Sequence, residues 1–116
     1  MGQLTTHVLD TASGKPAAGM QIDLFRLGDR AIPLISLVTN ADGRCDAPLL
    51  SGAAFTRGNY ELVFHAGDYF ASAGLMLPEP RFLDQVVIHF GVSDESQHYH
   101  VPLLISPFAY STYRGS

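Results

Sequence analysis

Gln97-His98-Tyr99-His100-Val101-Pro102-Leu103-Leu104-Ile105 decides how this chain is read. Side chains along a strand alternate between faces, so residues two apart share a side. Tyr99, Val101, Leu103 and Ile105 form an unbroken apolar row that belongs in a core, which sends His98, His100 and Pro102 to the opposite face. Working outward, the same period-2 pattern or β-branched and aromatic enrichment recurs in Leu4 to Leu9, Met20 to Leu24, Leu34 to Thr39, Asn59 to Phe64, Gln85 to Phe90 and Phe108 to Tyr113. Turn signals separate these segments: Ser13-Gly14-Lys15-Pro16, Gly28-Asp29, Asn40-Ala41-Asp42-Gly43, Arg57-Gly58-Asn59, Leu77-Pro78-Glu79-Pro80 and Gly91-Val92-Ser93-Asp94. Short strands at this spacing predict an all-β sandwich or barrel. Asp68 to Leu75 is the exception, with Tyr69, Phe70 and Ala73 at helical offsets, and is expected to form one short helix.

Composition narrows the class. The 116 residues hold seven Lys plus Arg against eleven Asp plus Glu, a net charge of −4, which excludes a generic basic nucleic-acid platform. Hydrophobic content of 47% against 16% charged describes a chain that buries a core. Cys45 is the single cysteine, so an intrachain disulfide and a cysteine-cluster zinc site are both excluded. No apolar run reaches the roughly 18 residues a membrane helix needs. Met1 to Asp10 lacks a basic segment followed by an apolar one, so the expected location is the cytoplasm, or the periplasm if a leader precedes Met1. With no linker composition or repeat, residues 1–116 are expected to form one domain.

The histidine-bearing face carries the chemistry. His7 and Leu9 share a side of the first strand, and Ser111 and Tyr113 share a side of the last. These faces mix polar and apolar groups where a solvated sheet would show Lys, Glu and Thr, which points to a groove or a subunit contact. His98 and His100, with His7, offer three imidazoles to a metal, but no carboxylate or thiolate lies at a telling distance. A serine-hydrolase reading fails because no Gly-x-Ser-x-Gly elbow exists, and Asp10 and Asp46 flank turns where carboxylates serve local hydrogen bonds. Arg44 follows the tight-turn pair Asp42-Gly43 and projects from the sheet rim, either solvated or as a fixed cation for a carbonyl or anion. Tyr113-Arg114-Gly115-Ser116 gives the chain an aromatic and an arginine where most termini fray, the mark of a tail tied down.

Thr6-His7-Val8-Leu9-Asp10 with Gly14-Lys15-Pro16-Ala17 resembles the N-terminal signature of the 5-hydroxyisourate hydrolases, the enzymes of the transthyretin-like family. Ser106-Pro107-Phe108-Ala109-Tyr110-Ser111-Thr112-Tyr113-Arg114-Gly115-Ser116 is similar to their C-terminal signature. Asn40-Ala41-Asp42-Gly43-Arg44 and His98-Tyr99-His100-Val101-Pro102-Leu103-Leu104 resemble the internal blocks, in the family's order. The resemblance covers Leu4 to Ser116. It implies a transthyretin fold, a sandwich of two four-stranded sheets with one short helix after the fifth strand. It also implies a homotetramer, a dimer of dimers, whose active sites lie in a channel between opposing sheets, lined by His7, His100, Ser111 and Tyr113.

The implied reaction is hydrolysis of 5-hydroxyisourate to 2-oxo-4-hydroxy-4-carboxy-5-ureidoimidazoline in urate degradation, without metal or cofactor. By matched motif position, His7 and His100 position and activate water, and Arg44 binds and polarises the substrate carbonyl. Tyr113 contacts the ring, and Arg114 and Ser116 complete or brace the pocket. The residues leave open which histidine is the base, assign His98 at most an auxiliary contact, and favour an inert Cys45. The rival carrier reading, a transthyretin-like binder of a small aromatic ligand, is opposed by His7, where hormone carriers have lysine, and by Tyr113, where they have smaller residues. The other rival is an adhesion-type sandwich, a monomer in which His7, Arg44 and His100 need not converge.

Overall fold

A computed structural model describes residues 2–115; Met1 and Ser116 lie outside it. The chain runs β1 (Gln3–Asp10), β2 (Lys15–Pro16), β3 (Gln21–Leu27), β4 (Ile32–Val38), β5 (Leu50–Ser51), a 3-10 turn (Gly52–Ala54), β6 (Gly58–His65), α1 (Ala66–Ser72), β7 (Gln85–Val92), β8 (His98–Ile105) and β9 (Tyr110–Thr112). One sheet has the order β2-β1-β8-β9 with β5 also paired to β1, and the other the order β4-β3-β6-β7. The all-β sandwich expected from the sequence is the observed architecture. Beyond the expected four strands, the larger sheet gains the two-residue pairing of β2 on β1, and counting it makes the helix follow the sixth strand rather than the fifth.

Alternation predicts the core correctly. Tyr99, Val101, Leu103 and Ile105 are all buried, and they meet Leu4 and Val8 of β1, Ile22 and Leu24 of β3, and Tyr60, Leu62 and Phe64 of β6. Each fully buried side chain of this size contributes about 1.5–3 kcal/mol. Tyr60 also sends its hydroxyl back to the Thr56 carbonyl, the tyrosine corner by which sandwiches anchor a crossing loop.

Most element boundaries shift by one to three residues, and three of the shifts have a clear local reason. The helix begins at Ala66, not Asp68, because Ala66 and Gly67 pack beneath the loop before β7. Gly67 N–H donates to Asp84 O at 2.8 Å, and a Cβ there would stand 2.5 Å from Asp84 Oδ1. It ends at Ser72, short of Leu75, because Gly74 at φ +91° reverses the chain. Leu75 N–H then reaches Phe70 O and Gly74 N–H reaches Ala71 O, a Schellman cap. The last strand begins at Tyr110 rather than Phe108, since Ser106 through Ala109 close a turn with Ser106 N–H on Ala109 O at 2.8 Å. Three expected turns are partly strand instead: Lys15 and Pro16 form β2, Gly58 and Asn59 open β6, and Gly91 and Val92 end β7.

Candidate active site

The two histidine strands come from opposite ends of the chain and are joined by parallel pairing. β1 lies beside β8 with Thr5 opposite His100 and His7 opposite Pro102. Leu4, Thr6 and Val8 turn inward, Thr6 donating to Val101 O at 2.6 Å, so Thr5 and His7 turn outward beside His98 and His100. The outer edge of β1 is divided among three partners. β5 takes Gln3 and Leu4, β2 takes Leu9 and Asp10, and between them His7 bridges Arg44.

That bridge follows from the turn chemistry before Arg44. Asn40 Oδ1 accepts the N–H groups of Asp42 and Arg44, and Gly43 N–H returns to Asn40 O at 2.9 Å. Gly43 sits at φ +71° and its carbonyl accepts Val8 N–H at 2.8 Å. A Cβ on Gly43 would fall 2.5 Å from Val8 O, so only glycine lets this turn lie against β1. Arg44 is therefore held beside His7 by its backbone. Its exposed guanidinium has no hydrogen bond or ion pair among the described residues.

The imidazoles form one connected line. His7 Nδ1 and His100 Nε2 are 2.7 Å apart, His100 Nδ1 is 2.7 Å from Thr5 Oγ1, and Thr5 Oγ1 is 2.8 Å from His98 Nε2. His100, 9% exposed, has both ring nitrogens engaged. His7 Nε2 has no partner among the described residues. Burial lowers the His7 pKa below the ordinary imidazole value of 6.5, and the Arg44 charge pushes it the same way. His100 is lowered by burial first, then by His7, Arg44 and His98. Both rings are thus held neutral at pH 7, one as a potential proton acceptor.

The tail closes the other side. Gly115 N–H donates to His100 O at 2.7 Å, and a Cβ on Gly115 would meet His100 Cδ2 at 2.8 Å. An open depression of about 970 Å³ results, lined by His7, Arg44, Cys45, His100, Tyr113 and Arg114 among others. Tyr113 is 58% exposed at its rim. Arg114 differs from Arg44: its Nη2 donates to Gln97 Oε1 at 2.9 Å and to His98 O at 3.2 Å, and its guanidinium lies 3.9 Å over the Tyr99 ring. It braces the tail. Ser116 lies outside the described residues.

The remaining sequence expectations fall into place or out of it. Ser111 pairs with Leu104 and does not line the depression, because β9 carries it along the sheet away from the histidines. Asp10 accepts from Ala12 and Ser13 N–H and from the Tyr69 hydroxyl, and Asp46 accepts from Asn40, so both carboxylates serve local structure. Burial, then Asp46, pushes the Cys45 thiol up to about 11, leaving little thiolate at neutral pH. His7, His98 and His100 are strung in a row through Thr5, and among the described residues no three His, Cys, Asp or Glu surround a common point. Thr5 is the residue the sequence reading missed. It stands two positions before His7 on the same face, but its place beside His100 depends on the β1–β8 register, which no local pattern records.

The chain is similar to known proteins along its whole length. The profile of the HIUase/Transthyretin family matches residues 4–115. The protein named 5-hydroxyisourate hydrolase 2 of Rhizobium meliloti (strain 1021) is 64% identical over 116 residues, covering 99% of this chain and 97% of that one. The structure of Klebsiella pneumoniae 5-hydroxyisourate hydrolase matches with a TM-score of 0.83 at 40% identity, covering 100% of both chains. The crystal structure of (S)-allantoin synthase matches 99% of this chain with a TM-score of 0.95 at 49% identity, and that protein is longer, the match covering 44% of it.

Proposed function

The chain belongs to the HIUase/transthyretin family, and from that premise we propose that it hydrolyses 5-hydroxyisourate to 2-oxo-4-hydroxy-4-carboxy-5-ureidoimidazoline, in the degradation of urate. One observation carries the reading: a neutral, mutually bonded histidine pair with an unpaired arginine fixed beside it. His7 is the base, through Nε2, because both nitrogens of His100 are already engaged. Water gives a proton to His7 as its oxygen attacks the ring carbonyl, and Arg44 faces the oxyanion that forms. A well-aimed donor of this kind contributes about 3–4 kcal/mol to the barrier. The ring C–N bond then breaks, the nitrogen takes a proton, and the new carboxyl ionises.

The other roles follow from position. His100 orients His7, Tyr113 packs on the substrate ring, Arg114 braces the pocket wall, and Ser116 completes the pocket from the tail. Residues 1–116 act as one transthyretin-like domain in the cytoplasm. The working assembly is a homotetramer, a dimer of dimers, in which an opposing sheet covers the depression and the exposed Tyr113. Family membership and the exposure of this face support that assembly.

The test is turnover of freshly generated 5-hydroxyisourate, followed by its ultraviolet absorbance and compared with spontaneous decay. His7→Ala, Arg44→Ala and His100→Ala are each expected to lose at least about tenfold, or 1.4 kcal/mol. Wild-type rates in all three, with the fold intact, would refute the assignment.

A further inference from the structure

We propose that Thr5 and His98 extend the His7–His100 pair into a proton relay, which stores the proton of the attacking water on His98 and returns it to the leaving nitrogen. The inference rests on the hydrolase reading and deepens it. Four groups lie in unbroken hydrogen-bond contact, His7 Nδ1 to His100 Nε2 at 2.7 Å, His100 Nδ1 to Thr5 Oγ1 at 2.7 Å, and Thr5 Oγ1 to His98 Nε2 at 2.8 Å. His98 is exposed, whereas His100 is buried.

Counting hydrogens leaves the line three arrangements: every bond pointing outward, every bond pointing inward, or Thr5 Oγ1 accepting from both His100 and His98. A neutral imidazole carries one N–H and one lone pair, and a threonine hydroxyl has one hydrogen to donate. His7 Nε2 bears a lone pair in the first and third of these, and the relay uses the first, from His7 Nδ1–H to His100, from His100 Nδ1–H to Thr5, and from Thr5 O–H to His98 Nε2. When water's proton arrives at His7 Nε2, the Nδ1 proton passes to His100 Nε2 and the His100 Nδ1 proton passes to Thr5 Oγ1. The Thr5 hydroxyl proton passes to His98 Nε2. Afterwards His7, His100 and Thr5 are neutral with their bonds reversed, and His98 is the imidazolium. Breakage of the ring C–N bond takes the proton from His7 Nε2, and the same transfers run backward to restore the first arrangement. No proton or charge is left over.

Electrostatics gives the relay its purpose. Without it the positive charge would rest on His7, partly buried and beside the Arg44 guanidinium, where a second cation is unfavourable. With it the charge stands on His98, three hydrogen bonds from His7, while Arg44 attends the oxyanion alone. Thr5 is the hinge, since among the described residues its single hydroxyl is the group that bonds both His98 and His100. Thr5 and His98 are positioning residues, acting through His7 and never touching the substrate.

The experiment compares Thr5→Val, Thr5→Ser and His98→Ala with wild type and His7→Ala on freshly generated 5-hydroxyisourate. Thr5→Val keeps the shape and removes the hydroxyl; kcat is expected to fall about tenfold with KM within about twofold. Thr5→Ser, which keeps the hydroxyl, is expected to return to within about threefold of wild type. In mixtures of light and heavy water the wild-type rate is expected to bow with deuterium fraction, as several protons move together, and the Thr5→Val rate to fall on a straight line. His98→Ala is expected to be slow in dilute buffer and to recover with added imidazole, while the wild type ignores it. Wild-type kcat and a bowed plot in Thr5→Val overturn the relay, as does Thr5→Ser as slow as Thr5→Val. Full activity in His7→Ala would overturn the site itself, a separate result.

Discussion

The outer faces of the two sheets both carry histidines and use them in opposite ways. On the smaller sheet His65 Nε2 meets Asp23 Oδ2 at 2.7 Å and His89 Nε2 meets Glu61 Oε1 at 2.6 Å, each imidazole answered by a carboxylate. On the larger sheet His7, His98 and His100 are joined to one another and to Thr5, and the charge that acts on both His7 and His100 is the Arg44 cation. A carboxylate partner stabilises imidazolium, whereas a neighbouring cation and burial disfavour it. One face therefore ties its rings to carboxylates, and the other keeps its rings neutral and able to accept a proton. The same residue type reads as structure or as chemistry according to what lies within about 4–6 Å of it.

The sharpest way to break the contrast is to give the larger sheet the carboxylate it lacks. Arg44→Glu removes the cation facing the oxyanion and puts a proton-retaining partner near His7. Turnover of 5-hydroxyisourate is expected to fall at least about a hundredfold at pH 7, a loss near 2.7 kcal/mol. A variant within threefold of wild type would show that Arg44 does not serve the oxyanion. A smaller effect tests the tail alone. Gly115→Ala places a methyl 2.8 Å from His100 Cδ2, and a ring held by two hydrogen bonds cannot yield without loosening one. Activity is expected to drop about tenfold, with thermal unfolding nearly unchanged because the change lies outside the hydrophobic core.

How much of this was legible in the sequence differs between the two faces. Period-2 alternation placed Tyr99, Val101, Leu103 and Ile105 in the core because burial imposes that period directly on the residues. It also placed His98 and His100 outward. That His7 stands beside His100, and Arg44 beside His7, depends on a parallel pairing between distant segments and a glycine turn laid against β1, and those were reached through resemblance of motifs instead. The Thr5 contact escaped both routes. Helix ends were misjudged for a related reason, since Ala66 and Gly67 carry no apolar period and are helical only because the loop at Asp84 packs on them. Arg44 and Arg114 are given different roles by the resemblance, and their partners supply the physical difference between a waiting charge and a brace.

The pH dependence sharpens the contrast further. The folded pKa of His7 lies below 6.5, burial being the larger cause and Arg44 the second, so the neutral base persists to lower pH than in a free imidazole. The acid limb of kcat/KM is expected to have its midpoint under pH 6.5. In Arg44→Gln, which keeps the shape and removes the charge, the midpoint is expected to move upward on the residual rate. A midpoint that stays put would remove the Arg44 field from the account of His7.

The smallest effect belongs to the other face, and it is the control that gives the rest meaning. His89→Gln removes the exposed cross-strand pair with Glu61, whose partner stands directly opposite it in the β6–β7 register. An exposed pair of this kind contributes about 0–1 kcal/mol, so the midpoint of urea unfolding should barely move and turnover should stay within twofold of wild type. Asp23→Asn reaches deeper, because that carboxylate also accepts from Ser36 and Gln21, and these bonds with the His65 contact outweigh desolvation and hold its folded pKa below the ordinary 3.8. A depressed carboxylate adds stability that is complete above its unfolded pKa and lost as pH falls through the folded one. The variant is therefore expected to unfold at lower urea than wild type at pH 7, with the difference shrinking below about pH 4 and turnover unaffected throughout. A loss of turnover in folded Asp23→Asn or His89→Gln would tie the smaller sheet to catalysis and dissolve the division of labour between the faces.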